Sequence, residues 1–193
     1  MHLALTRLDG HRYETVITRR DGVRLHVKGV GHRFAIPHDL AHLAVERALG
    51  LRRGFWGCVA AGAVFESMTW LDGRRRPHAA ERSRALLRDH YAELGDAECL
   101  VRIFNDALEK GAGAAEIATT LRTRWAPGGQ APRPIPDEEV AAACAAWKEM
   151  LELWNALPVG GTLELDWADE PAGRSAYRSR HRDRDRPRYR RGW

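Results

Sequence analysis

The spacing of apolar positions along the chain changes after Lys28. Before it, His2-Leu3-Ala4-Leu5-Thr6-Arg7-Leu8 alternates and ends at Asp9-Gly10. Arg12 to Thr18 is rich in β-branched and aromatic residues, Asp21-Gly22 follows, and Val23 to Lys28 alternates strictly. A period of two marks a half-buried strand, and Asp-Gly between two such runs marks a hairpin turn. The pattern predicts a three-stranded antiparallel meander.

Helical spacing takes over from Pro37. Proline suits the first helical position, and Asp39 falls where the positive end of a helix favours an acid. A helix is expected over 37–49, stopped by Gly50, and a second over about 57–68 after the Arg53-Gly54-Phe55-Trp56-Gly57 turn. Further helices are expected over 78–94, 96–109 and 114–124. The stretch 126–136 contains Pro127, Pro132, Pro134 and Pro136, which forbid helix and make it a loop. Asp137 then caps a helix over 138–156, where Val140, Ala143, Cys144, Trp147, Leu151 and Trp154 keep close to the 3.6 period.

After the Gly160-Gly161 turn, Thr162 to Trp167 alternates again. This late strand has no local partner, so it is expected to join the N-terminal meander as a fourth strand. The predicted fold is α+β: a small antiparallel sheet (three N-terminal strands plus one late strand) packed on a helical body. Residues 1–169 would form one domain, and 170–193, rich in Arg, Asp, Ser, Pro and Tyr, a disordered Arg-rich tail.

Composition supports a folded chain: of 193 residues, 44% are hydrophobic and 30% charged, which excludes a collagen-like or wholly disordered protein. The net charge of +5 is unevenly placed. Residues 174–193 hold nine Arg and two Asp, which leaves 22 basic and 24 acidic residues upstream. The basic character therefore belongs to the tail and does not argue for a basic groove on the fold. Only three cations are Lys, and with the many Ala and Gly residues this is the composition expected of a GC-rich bacterial genome.

Three scattered cysteines with no CxxC pair fit reduced, buried thiols. The N-terminus lacks the charged and apolar segments of a signal peptide, and the weakly polar run 55–65 is too short to cross a bilayer. A cytoplasmic protein without a membrane partner is expected.

One motif points to chemistry. His38-Asp39-Leu40-Ala41-His42-Leu43-Ala44-Val45-Glu46 reads HDxxHxxxE. On a helix, positions 38, 42 and 46 are each one turn plus about 40° apart and so share one stripe. Imidazoles at i and i+4 can direct their nitrogens at one tetrahedral metal, and zinc suits a mixed nitrogen and oxygen site. Apolar residues lie on both sides of the stripe, so the helix is expected to be mostly buried and its polar groups to need partners.

HDxxH resembles the HExxH helix of the zincin metallopeptidases over five to nine residues. The resemblance implies that His38 and His42 are zinc ligands and that Asp39 stands where that family places its general-base Glu. Asp is one methylene shorter, a departure that touches peptidase chemistry more than metal binding. In the gluzincin branch a Glu from a following helix completes the site, which makes Glu66 the expected third metal ligand, with His32 and His78 as other options. Glu46 is about 12 Å along the helix from His38 in rise, so it is expected to orient His42 from behind, or to serve as an alternative ligand. The wider stretch from Ile36 to Phe65, with its PHDLxHxxVE signature, is also similar to uncharacterised bacterial proteins of this size, a similarity that implies no activity.

The leading expectation is a zinc-dependent hydrolase with Asp39 acting on a metal-bound water. A non-enzymatic protein-binding or regulatory module with structural histidines is the alternative. A third reading is a nucleic-acid-associated protein acting through its tail, whose arginines would meet phosphates and whose Tyr177, Tyr189 and Trp193 would stack. Arg52, Arg53 and Arg74-Arg75-Arg76 read as solvated turns, with phosphate binding as the alternative, and the tryptophans as core or rim packing. No Gly-x-Ser-x-Gly motif and no glycine-rich phosphate cradle is present in the sequence.

Overall fold

In the computed structural model, which describes residues 1–29, 35–125 and 134–167, the alternating segments form the expected meander. The strands are β1 (His2–Arg7), β2 (Tyr13–Thr18) and β3 (Arg24–Gly29). β5 (Thr162–Asp166) pairs antiparallel with β1, Leu3 opposite Leu165 and Leu5 opposite Leu163. Beyond β5, the Met1 ammonium donates to the Trp167 carbonyl at 3.0 Å.

A fifth strand was not expected. β4 (Met68–Asp72) pairs with β3, giving the order β4-β3-β2-β1-β5 with every pairing antiparallel. The sequence pattern instead carries a helix through to Met68. That helix, α2, spans only Phe55–Ala61, because Gly62 takes φ +119° and the Gly62 and Ala63 amides turn back to the Val59 and Cys58 carbonyls. Only Met68 of β4 is buried, which left almost no period-two signal to read.

The remaining helices are α1 (His38–Ala48), α3 (Ala79–Asp89), α4 (Tyr91–Leu108), α5 (Ala114–Arg124) and α6 (Asp137–Asn155). The α3–α4 break falls at His90, several residues before the predicted one, so Gly95 lies inside α4 rather than between helices. Capping of α6 also differs: Pro136 is its N-cap, and Asp137 is its first residue.

The core forms between one face of the sheet and the helices. Leu3, Leu5, Ile17, Leu25, Leu163 and Leu165 are buried on the sheet, and Leu40, Leu43, Val45, Phe104, Val140 and Trp154 on the helices. Helix α1 lies at the centre, packed against α6, α4 and α2. That position buries every residue from Asp39 to Glu46 and makes three polar side chains of the motif answer for their hydrogen bonds. No helix among the described residues is long and apolar enough to cross a membrane. The expected tail (170–193), most of the proline-rich loop (126–133) and His32 lie outside the described residues.

Candidate metal centre

His38 and His42 sit one turn apart on α1, with ring centroids 4.6 Å apart and planes at 64°. The carboxylate that meets them is Glu98, from α4. Its Oε1 is 3.3 Å from His38 Nε2, and its Oε2 is 3.0 Å from His42 Nε2. One ligand atom from each of the three residues falls within 4.8 Å of the others, so the group could hold a metal ion. A tetrahedral ion with ligands at about 2.0–2.1 Å has ligand-to-ligand edges of about 3.3–3.4 Å, so a group whose ligand atoms lie within 4.8 Å of one another would close slightly on binding one.

Behind the group stands Glu46. His42 Nδ1 donates to its Oε1 at 2.8 Å, the Phe55 amide donates to the same oxygen at 2.8 Å, and the Trp56 amide donates to Oε2 at 3.0 Å. A fully buried carboxylate is thus satisfied by one imidazole and the first two amides of α2. The arrangement requires glycine at position 54, where a Cβ would lie 2.5 Å from the Glu46 carboxyl carbon. Glu46 therefore fixes both the ring orientation of His42 and the position of α2, and it leaves Nε2 directed at Glu98.

Burial works against charge on His42, but hydrogen bonds to Glu46 and Glu98 outweigh it and raise the imidazolium pKa to about 9. Hydrogen bonds from His38 and His42 hold the Glu98 carboxyl well below the usual carboxylate range. Access is one-sided. The His42 side chain is 5% exposed, whereas His38 is 45% and Glu98 56% exposed, so solvent reaches the group from the His38 and Glu98 side. Phe55 (centroid 5.6 Å from the His42 ring) and Phe65 (4.9 Å from Phe55) form an aromatic wall beside the buried histidine.

The other expected site residues lie elsewhere. Asp39, expected to act on a metal-bound water, faces the sheet: it accepts from the Thr15 hydroxyl at 3.1 Å and from the Tyr13 hydroxyl, and its own carbonyl accepts from the Trp56 indole at 2.9 Å. One residue after His38 means about 100° around the helix, which turns Asp39 away from the histidine stripe and into the core. Burial pushes its carboxyl pKa up, and burial together with Asp39 pushes the Tyr13 phenol up. Asp39 is a buried tie between α1 and β2.

Glu66, expected as the third metal ligand on a following helix, is exposed in the turn before β4 and is not part of the three-residue group, because α2 ends at Ala61. His78 is also exposed and pairs with Glu81. Sequence reasoning missed Glu98, although it placed this residue on a helix. Leu94, Glu98, Val101, Asn105 and Leu108 follow i, i+4, i+7, i+11, i+14 spacing, so an acid lies in a mostly apolar stripe. That was the available signal.

Cys58 and Cys144 are buried and Cys99 half-buried, all three are free, and burial pushes the Cys58 thiol up to about 11. Comparison of the chain with protein-family models, with curated proteins and with solved structures gives no match.

Proposed function

We propose that this protein is a zinc-dependent hydrolase whose metal is held by His38, His42 and Glu98. The observation that carries the reading is the convergence of two imidazole nitrogens and a carboxylate on one partly exposed point, with the buried histidine locked from behind by Glu46. Two nitrogens and an oxygen form a donor set that suits zinc. Three protein ligands with solvent on the remaining side are the make-up of an open catalytic site rather than a closed structural one. Zinc in such a site lowers the pKa of a bound water to about 7 and supplies a nucleophile at neutral pH. The donor set matches the zincin resemblance of the motif, with Glu98 rather than Glu66 as the acid.

The test compares zinc-loaded and chelator-treated protein on activated carboxylic esters, phosphoesters and peptides. The reading expects zinc-dependent turnover on at least one class, abolished in His42→Ala. Stoichiometric zinc with no turnover on any class refutes hydrolysis and leaves the metal site standing.

One observation favours a second reading, a non-enzymatic binding or regulatory module. Both ring nitrogens of His42 already meet carboxylates, at 2.8 and 3.0 Å, so its imidazolium is fully satisfied without a metal. Zinc titration separates the two, because a purely structural imidazolium takes up no zinc. Contact with nucleic acid through 174–193 concerns residues outside those described, and no observation favours it.

A further inference from the structure

A second cluster of arginines lies apart from the His38–His42–Glu98 group. A cleft of about 980 Å³ opens beside β2, the end of α2 and the start of α3, and shares no lining residue with the His38–His42–Glu98 group. Arg19, Arg74, Arg76 and Arg82 line it, against two acids, Asp21 and Asp89. Asp21 is already engaged: Arg19 Nε and Nη2 fork onto its two oxygens at 3.1 and 2.6 Å, and the Val23 amide donates to it at 3.3 Å.

The fork fixes the Arg19 guanidinium, whose side chain is only 7% exposed, and leaves Nη1 buried with no acceptor. A buried charged donor without a partner is rare in folded proteins and calls for an acceptor oxygen. Independently, α3 begins on the same cleft at Ala79, and its N-cap residue His78 makes no side-chain hydrogen bond to the first-turn amides. The Ala79 amide itself donates to the Arg76 carbonyl at 3.2 Å, so the helix start contributes the later amides of its first turn and the positive end of a dipole. Trp70 lines the cleft as well, with the Arg75 guanidinium 4.8 Å above its ring.

Arginines thus outnumber acids in the lining by four to two, and the one fork present is held by Asp21, so Arg19 Nη1, the remaining guanidinium groups and a helix start are what the cleft offers an oxyanion. The volume far exceeds that of a bare anion and falls in the range of small-molecule sites. We propose that this cleft binds the phosphate group of a small phosphorylated molecule between Arg19, Arg76 and the start of α3, with the organic part along Trp70.

The experiment is amide and indole NMR of the full chain at physiological ionic strength, titrated with adenosine monophosphate and, separately, with inorganic phosphate. Saturable shifts are expected at the Gly62 and Ala79 amides and the Trp70 indole, with the monophosphate binding more tightly. The exposed pair Arg74→Gln/Arg76→Gln should weaken binding about tenfold, while the tail control Arg188→Gln/Arg190→Gln should leave it unchanged. Inorganic phosphate binding as tightly as the nucleotide overturns the organic occupant. Silence at all three reporters at about 10 mM of either ligand, or shifts confined to residues 174–193, overturns the site.

Discussion

Replacing Glu46 with glutamine exchanges a single heavy atom and strikes the centre of the site. In the native protein three donors converge on the carboxylate: the Phe55 amide and His42 Nδ1 on Oε1, and the Trp56 amide on Oε2. Glutamine offers one oxygen. Whichever way its amide is turned, the NH₂ faces a buried donor, so at least one N–H loses its acceptor, at a cost of about 1–3 kcal/mol. The bonds that survive fall from charge-assisted to neutral, at about 1 kcal/mol each. The sum, about 3–5 kcal/mol, matches the usual cost of breaking a buried ion pair from one side. Against a total stability of about 5–15 kcal/mol this is a large fraction. Urea unfolding in the presence of a chelator reads it directly, as a lower midpoint with an unchanged slope. A loss below about 1 kcal/mol would show that Glu46 does not carry the buried network.

Other predictions follow from the same contacts. Gly54→Ala places a Cβ 2.5 Å from the Glu46 carboxyl carbon and should destabilise by about 1–3 kcal/mol, seen as a lower thermal midpoint. Because the His42 pKa is raised on folding, from an ordinary 6.5 to about 9, its contribution is fully present below pH 6.5 and is lost as pH rises to 9. Chelator-treated protein should therefore lose about 3 kcal/mol across that window, and His42→Asn should remove this slope. Zinc affinity measured by competition with a chromogenic chelator should fall steeply in His38→Ala and Glu98→Gln. It should stay unchanged in Glu66→Gln, whose side chain is exposed before β4. Asp39→Asn should lower stability through its ties to Thr15 and Tyr13 while leaving zinc affinity within about twofold.

How much of this was legible in the sequence depends on the range of the interaction. The meander was readable because alternation and Asp-Gly turns are local signals, and β5 because a lone alternating strand must pair somewhere. β4 was not, since an edge strand with one buried residue has no alternation to show. Helix α1 and its histidine stripe followed from a four-residue spacing. The role of Glu46 behind His42 was also within reach, because both lie on that helix one turn apart. Its hold on the Phe55 and Trp56 amides depended on how α2 folds back, which local pattern does not encode. Glu98 meets its partners across 56 and 60 residues, and its only local mark is an acid in a mostly apolar row. Asp39 was read as facing the histidines, but its position one residue on turns it towards β2, where Thr15 and Tyr13 claim it.

The most direct test of the metal centre is X-ray absorption at the zinc edge on protein loaded with one equivalent and dialysed. The account predicts retention of one zinc with two imidazole nitrogens and carboxylate oxygen at about 2.0–2.2 Å, and loss of that signature in the His38→Ala/His42→Ala double variant. Zinc lost on dialysis, or a shell of sulfur at about 2.3 Å drawn from the cysteines, would contradict it.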